Sequence, residues 1–485
     1  MPPSPAYRPD PRFAAFNQAA GGEFADPVRP APFPQLITRR RNLAWAERVG
    51  LSGLSDEEWA AHFGRFEPLP GNQAQALAMR YHGHQFRMYN PDIGDGRGFL
   101  FAQLRDDQGR LLDLATKGSG QTPYSRFGDG RLTLKGGVRE VLAAEMLEAL
   151  GVYTSKAFAL YETGESLDRN DEPSPTRSSV LTRLSHSHLR LGSFQRLAFI
   201  ERVDLLNLLI EHAADSYYPE LGGLSAEDRA VGLLERTAEA LGRLTASWMA
   251  SGFVHGVLNT DNLTITGESF DYGPWRFLPA CEPGFTAAYF DQSGLYCFMR
   301  QPEAVSWAAA QFAGVLTLVA PIERLEPALQ TFKPAYKEAM RASTLRRLGL
   351  QSAGVEDDVA FVDALFAWMT KSKIGWDQFF HDWFCGAASA ARAAQSPEAA
   401  HYQDDAFQPI RAMIEARAPE RPERLAHPLF QRAKPPSLVI DEVERLWAAI
   451  AERDDWALFE AKLAEINELK QALAIECHAP FTGAP

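Results

Sequence analysis

Val138, Leu142, Met146 and Leu150 recur every four residues and put one apolar stripe on a helix predicted over 134–150. Upstream, the apolar runs 99–104 and 111–116 flank Asp106-Asp107-Gln108-Gly109 and predict a strand pair. Residues 156–161 and 178–184 predict two more strands, separated by the polar loop Asp168–Thr176 with its two prolines. From about residue 193 the period becomes helical. Leu205, Leu206, Leu208, Leu209 and Ile210 predict a buried helix. Residues 225–251 predict a second, ending near Gly252, and the Ala-rich run 302–320 a third. Helical spacing continues beyond about 340; Val443, Leu446, Trp447 and Ile450 lie on one face. Before the first strand pair, residues 1–45 are rich in Pro, Ala and Phe and predict an extended wrapping arm. Residues 53–88 carry a short helical pattern, with Ser55 as N-cap ahead of Asp56-Glu57-Glu58, and Tyr89-Asn-Pro-Asp92 marks a turn.

Strands followed by helices make an α+β arrangement. Four regions follow: 1–90, an arm with short helices; 91–192, bearing the strands; 193–340, mostly helical; and 341–485, a helical extension. A chain of 485 residues suffices for two to four compact units. At 46% hydrophobic and 23% charged residues it is neither disordered nor fibrous. The net charge of −13 argues against nucleic-acid binding and against anionic membranes. That charge is uneven. Residues 91–190 hold 13 Lys/Arg against 14 Asp/Glu, so almost all of the excess lies elsewhere. A near-neutral, Arg-rich region can host a polyphosphate that the acidic remainder would repel.

No apolar run reaches 18 residues, and Met1-Pro-Pro-Ser-Pro5 lacks the layout of a signal peptide. A cytoplasmic monomer is the expectation. Cys281, Cys297, Cys385 and Cys477 form no CxxC pair, which argues against a zinc site or a dense disulfide framework.

The densest chemistry lies in His255-Gly-Val-Leu-Asn-Thr-Asp-Asn262 and Asp271-Tyr-Gly273. A protein kinase holds Mg²⁺ with an Asn seven residues after its loop His and with the Asp of Asp-Phe-Gly. Asn262 and Asp271 match those two positions. The kinase base, two residues after the His, is replaced by Val257, which accepts no proton; an acid reappears at Asp261. The competing reading of Thr260-Asp261-Asn262 is a turn or N-cap. A strand-bearing part, then a helical part holding this loop, is a protein-kinase-like bilobal plan with an N-terminal arm and a C-terminal helical extension.

Other candidates fit that plan, each beside a plainer reading. Gly94-Asp-Gly96-Arg97-Gly98 allows close backbone approach to phosphate, or is a simple turn. Lys117 ends a strand and can pair with phosphates and with a helix acid, or is an exposed strand-end lysine. Glu140 is its natural partner, although spacing alone does not choose among Glu140, Glu145 and Glu148. Arg183 and Arg190 bracket Leu-Ser-His-Ser-His-Leu and suit phosphate or structural ion pairs equally. His82-Gly-His84 and His186-Ser-His188 look like metal pairs but lack a third ligand nearby, which favours hydrogen-bonding roles.

Together these segments resemble the selenoprotein O family of pseudokinase-like protein adenylyltransferases. The resemblance rests on Tyr81-His-Gly-His-Gln-Phe86, Ile93-Gly-Asp-Gly-Arg97, Lys117-Gly-Ser-Gly120, Thr122-Pro-Tyr-Ser-Arg126 and Asp129-Gly-Arg131. It continues through Val138-Arg-Glu140, Thr182-Arg183, Ser187-His-Leu-Arg190, Gly192-Ser-Phe194, His255–Asn262 and Asp271-Tyr-Gly-Pro274. It implies a kinase-like fold that binds ATP flipped, so that AMP passes to Ser, Thr or Tyr hydroxyls of other proteins and pyrophosphate leaves. It also implies a Lys117–Glu140 ion pair and a nucleotide pocket lined by Gly94, Gly96, Arg97, Asp129, Gly130, Arg183 and Arg190. Asn262 and Asp271 would hold Mg²⁺, with Mn²⁺ as the alternative ion, and Asp261 would accept the proton. The chain departs from members ending in a redox Cys-x-x-selenocysteine, having Cys477-His-Ala-Pro480 instead. A Cys281–Cys477 disulfide and four unrelated thiols are both open. The rivals to adenylyl transfer are a protein kinase using Asp261 and a nucleotide-binding scaffold without turnover. The retained metal residues argue against the scaffold, and Val257 against an ordinary kinase.

Overall fold

Strand pairing between distant segments sets the sheet. The computed structural model describes residues 6–170 and 172–475. Its strands are β1 (Ala25–Val28), β2 (Ile37–Arg41), β3 (Ala76–Met79), β4 (Gly83–Gln85), β5 (Met88–Asn90), β6 (Leu100–Arg105), β7 (Leu111–Lys117), β8 (Leu132–Thr133), β9 (Lys156–Leu167), β10 (Thr176–Ser185), β11 (Phe253–Val254) and β12 (Arg276–Phe277). The helices that matter most here are α1 (Arg12–Ala19), α2 (Leu43–Arg48), α3 (Asp56–Phe63), α4 (Leu134–Ala149), α5 (Leu191–Phe199), α6 (Val203–Tyr217), α7 (Ala226–Ser251) and α8 (Gln301–Leu316). One antiparallel sheet runs β1-β3-β6-β7-β10-β9-β2, with β8 also on β10. β4 and β5 form a separate hairpin, and β11 pairs with β12.

The period-2 rule places the sheet's side chains. In β7, Leu111 and Ala115 face the core that contains α4, while Leu112 and Leu114 face an aromatic core of Trp45, Trp59, Phe63, Phe101 and Phe158. A strand covered on both faces reads as a continuous apolar run, which is how 111–116 looked in the sequence. α4 starts at Thr133, whose hydroxyl accepts from Gly136 N at 3.1 Å. Its stripe of Val138, Leu142 and Met146 is fully buried. Leu142→Ala should cost about 2–5 kcal/mol, read as a lower midpoint in denaturant, because it empties a site with no solvent-side relief.

Two regions differ from the sequence-based expectation. The arm is not merely extended: it forms α1 and supplies β1 and β2, the two edges of the sheet. Within 53–88 only Asp56–Phe63 is helical, with a reciprocal capping box between Ser55 and Glu58. Residues 76–90 are three short strands, turned at Phe86 and Arg87, both at positive φ (50° and 64°). The predicted strands at 156–161 and 178–184 extend further, to Leu167 and back to Thr176.

After α8 the chain continues as helices, among them Phe332–Leu348, Val355–Ser372, Ile440–Arg453 and Ala457–Leu473. The last packs back on α4, where Lys470 Nζ meets Glu148 Oε2 at 2.7 Å. Among the described residues, no helix is long and apolar enough to cross a membrane.

Candidate active site

α7 ends at Gly252, which takes the left-handed conformation (φ 65°) and turns the chain into β11. The loop between β11 and β12 carries His255 to Asp271. His255 is buried and organises the loop: its backbone N–H donates to Gln301 Oε1 at 3.0 Å, and Nε2 lies 3.1 Å from Phe270 O. Burial lowers the imidazole pKa below its ordinary value, so it serves as a neutral strut. Residues Thr260–Asn262 form a single helical turn, and Asn262 Nδ2 donates to Val257 O at 3.0 Å.

The β4–β5 hairpin lies directly on that turn. His84 N–H donates to Thr260 Oγ1 at 2.7 Å, and Phe86 N–H donates to Asn259 Oδ1 at 3.1 Å. Thr260 in turn donates to Gln195 Oε1 on α5 at 2.6 Å. A Cβ at Gly83 would sit 3.0 Å from Asp261 Oδ1, so glycine is what permits this approach. The two histidines of His82-Gly-His84 bond to Tyr89 Oη and Gln195 Nε2, each at 2.9 Å. Those are hydrogen-bonding positions, as expected for a pair without a third ligand.

A cavity of about 680 Å³ opens beside this turn, within the size range of small-molecule sites. Gly94, Gly96, Arg97, Lys117, Asp129, Gly130, Arg183, Arg190, Asp261 and Asp271 all line it. Lys117 is buried at the end of β7 and bonds Glu140 of α4 on one side and Asp271 Oδ1 at 2.5 Å on the other. Geometry thus settles the choice of helix acid: Glu145 pairs with Arg40 and Glu148 with Lys156 and Lys470. Arg183 NH1 is 3.3 Å from Asp271 Oδ1. Burial alone would raise the Asp271 pKa, but Lys117, Arg183 and Arg97 outweigh it and hold the carboxyl well below its usual range. Asp271 is therefore ionised, on a left-handed backbone (φ 62°).

Asp261 behaves in the opposite way. Burial, with a smaller push from Asp271, lifts its pKa to about 6 against the pull of its own backbone N–H, Arg190 and Gln85. Its Oδ1 is enclosed and has no hydrogen-bond partner among the described residues. The ionised Asp271 suits a hard cation, whereas Asp261, with its raised pKa and one orphaned oxygen, suits proton acceptance. No cluster of three His, Cys, Asp or Glu side chains is gathered for a metal among the described residues. A Mg²⁺ ion here would complete its shell with Asn262, water and phosphate oxygens, as that ion commonly does.

The glycine-rich turn is shaped by Tyr124 as much as by any ligand. A Cβ at Gly94 would lie 2.5 Å from the Tyr124 ring, and one at Gly96 would lie 2.9 Å from Tyr124 O. Gly130, at φ 71°, sits so close to Gly120 that a Cβ would fall 2.1 Å from its carbonyl oxygen. Asp129 is exposed at the rim and pairs with Arg169 at 2.9 Å.

Several wall residues carried no assigned role in the sequence: Tyr81, Gln85, Asp95, Arg126 and Arg131 stand inside the quoted motifs, and Arg169 lies outside them. Asp95 binds Arg190 NH2 at 3.2 Å, and Tyr81 stacks on the same guanidinium at 4.3 Å. Gln85, Arg126, Arg131 and Arg169 also line the cavity. Asp95 was legible as the residue between two glycines; Arg169 was hidden in a loop that looked like a polar spacer. The wall holds seven Lys/Arg and five Asp, an excess of positive charge on a chain of net −13. Such a wall suits a polyphosphate. Cys281 is buried, with Sγ 3.2 Å from Thr370 Oγ1, whereas Cys477 lies outside the described residues.

The model of the family described as protein adenylyltransferase SelO matches residues 11–467. The chain is 41% identical over 476 residues to protein nucleotidyltransferase YdiU of Trichodesmium erythraeum, covering 93% of this chain and 97% of that relative. It is 41% identical over 472 residues to the protein of the same name from Synechocystis sp., covering 94% and 96%. With the homologue from Gloeobacter violaceus it shares 42% identity over 469 residues, covering 93% of each. The chain belongs to the protein adenylyltransferase SelO family.

Proposed function

We propose that the chain transfers AMP from ATP to Ser, Thr or Tyr hydroxyls of other proteins, in a Mg²⁺-dependent reaction that releases pyrophosphate. One observation carries the reading: the cavity holds a carboxylate with one unpartnered oxygen, Asp261 Oδ1, while the position of the kinase base is Val257. The acceptor oxygen attacks the α-phosphorus, the bond from that phosphorus to the bridging oxygen breaks, and the proton goes to Asp261. Bound Mg²⁺ would neutralise phosphate charge. Asn262 and Asp271 would hold it, Lys117 is oriented by Glu140, and Arg97, Arg183 and Arg190 would meet the phosphates. Gly94, Gly96, Asp129 and Gly130 shape the nucleotide pocket. The same reading divides the chain into kinase-like lobes at 91–192 and 193–340, the arm 1–90 and the helical extension 341–485. The strands of 91–192, joined in one sheet by β1, β2 and β3 of the arm, make the first lobe with α4, and the helices that follow, with the metal loop, make the second.

Incubation with ATP labelled at the α- or the γ-phosphate tests the reaction. Label from the α position should enter protein, including the enzyme itself, and γ-label should not. Incorporation from γ with none from α would replace this reading with a kinase.

A mutant pair tests the ion-pair role. Lys117→Met should keep the fold, because an apolar chain replaces the lysine stem. It should lose about 10–100-fold in activity, the scale of a charged hydrogen bond worth about 1.5–3 kcal/mol. Glu140→Gln should lose less, since it orients Lys117 without touching the nucleotide. A silent Lys117→Met in a transfer assay would remove the lysine from the mechanism.

A further inference from the structure

Away from the Asp271 cavity, a cleft of about 560 Å³ opens between the last turn of helix Phe332–Leu348, the segment 420–424 and helix Ala457–Leu473. Among the described residues, four cations line it, Arg346, Arg421, Arg424 and Lys470, and one acid, Glu420. They converge from three elements that are far apart in sequence. Asn467, Lys470 and Gln471 share one helix face and add two amides to the wall.

The cations are under-neutralised. Arg346 is half-buried, and no side-chain hydrogen bond or ion pair holds it among the described residues. Arg421 and Arg424 each donate to one helix-end carbonyl, Ala474 O and Gln471 O, both at 2.9 Å. Arg421 Nε is enclosed without a hydrogen-bond partner among those residues, and Glu420 Oε2 stays 3.9 Å away. Lys470 shares Glu148 with Lys156, so one carboxylate serves two ammonium groups. Two helix C-termini supply roughly half a negative charge each. Counted over the described residues, the cleft remains net positive on a chain of net −13. Concentrated positive charge in a concave polar site attracts anions of matching size.

We propose that this cleft binds a small polyanion carrying at least two phosphate or carboxylate groups. The site lies beside the C-terminal end of α4 and does not depend on how the Asp271 cavity reacts. Citrate and inorganic tripolyphosphate are the two probes, titrated calorimetrically into the full chain at low ionic strength. Binding of at least one is expected, and the probe preferred assigns carboxylate or phosphate. Arg346→Glu should weaken that binding at least about tenfold, since it reverses a charge facing the ligand without breaking a side-chain bond. Arg346→Gln should weaken it less. ATP affinity, measured on the same variants, should not change, and it reports separately on the nucleotide cavity. If neither probe binds the wild-type chain, or if the heat of binding survives Arg346→Glu unchanged, the proposal is overturned.

Discussion

Asp271→Ala is expected to lower AMP transfer by at least ~100-fold, the scale of losing a group that stabilises transition-state charge. The variant should remain folded and still bind nucleotide. In the native cavity Asp271 balances Lys117 at 2.5 Å and Arg183 at 3.3 Å, with Arg97 adding to the same field. Removing it frees those cations to meet phosphate directly, so ATP affinity should hold or rise. The proposed metal loses its carboxylate and turnover collapses. The check is initial rates of α-labelled transfer across a Mg²⁺ titration, beside calorimetric ATP binding. Near-normal transfer by Asp271→Ala would show that the metal is held elsewhere or is not used.

Asp261→Ala should produce the second large loss, about 10²–10⁴-fold in turnover, the usual contribution of a positioned base. ATP and Mg²⁺ affinities should stay close to native. Asp261 Oδ1 has no partner among the described residues, so its removal breaks no hydrogen bond to that atom. It also relieves repulsion with Asp271. An oxygen that is costly to bury yet left unsatisfied is expected to have a task, and proton acceptance fits its place in the cavity wall. Single-turnover measurements separate this step from product release. A variant that keeps its single-turnover rate would exclude Asp261 as the acceptor and return the proton to solvent or phosphate.

What could be read beforehand depended on what holds each element. α4 was visible because Val138, Leu142 and Met146 bury an apolar face, and burial follows periodicity. β7 was visible because both its faces are covered. β2 was not, since Ile37-Thr-Arg-Arg-Arg41 has no apolar alternation. It is held by main-chain pairing to β9 and by ion pairs: Arg39 with Glu162, Arg40 with Glu145, and Arg41 with Asp56. Long-range pairs leave no local signature. The same holds in the cavity. Lys117, Asp261 and Asp271 of its wall, and Asn262 next to Asp261 in the chain, stood out because motif spacing is local. The grip of Asp95 on Arg190 and the seating of the β4–β5 hairpin on Thr260 arise only when distant segments meet.

The two edge strands emerge first from the ribosome. β1 finds β3 soon afterwards, but Ile37 of β2 lies opposite Glu162 of β9. At roughly 5–20 residues per second, that partner is delayed on the order of 10 s. Meanwhile the nascent chain displays an unpaired strand, the usual seed of misassociation between chains. The consecutive arginines 39–41 then act as solubilising guards before they act as ion-pair partners. Neutral substitutions there should lower yield during synthesis as well as loosen the β2 edge of the finished protein.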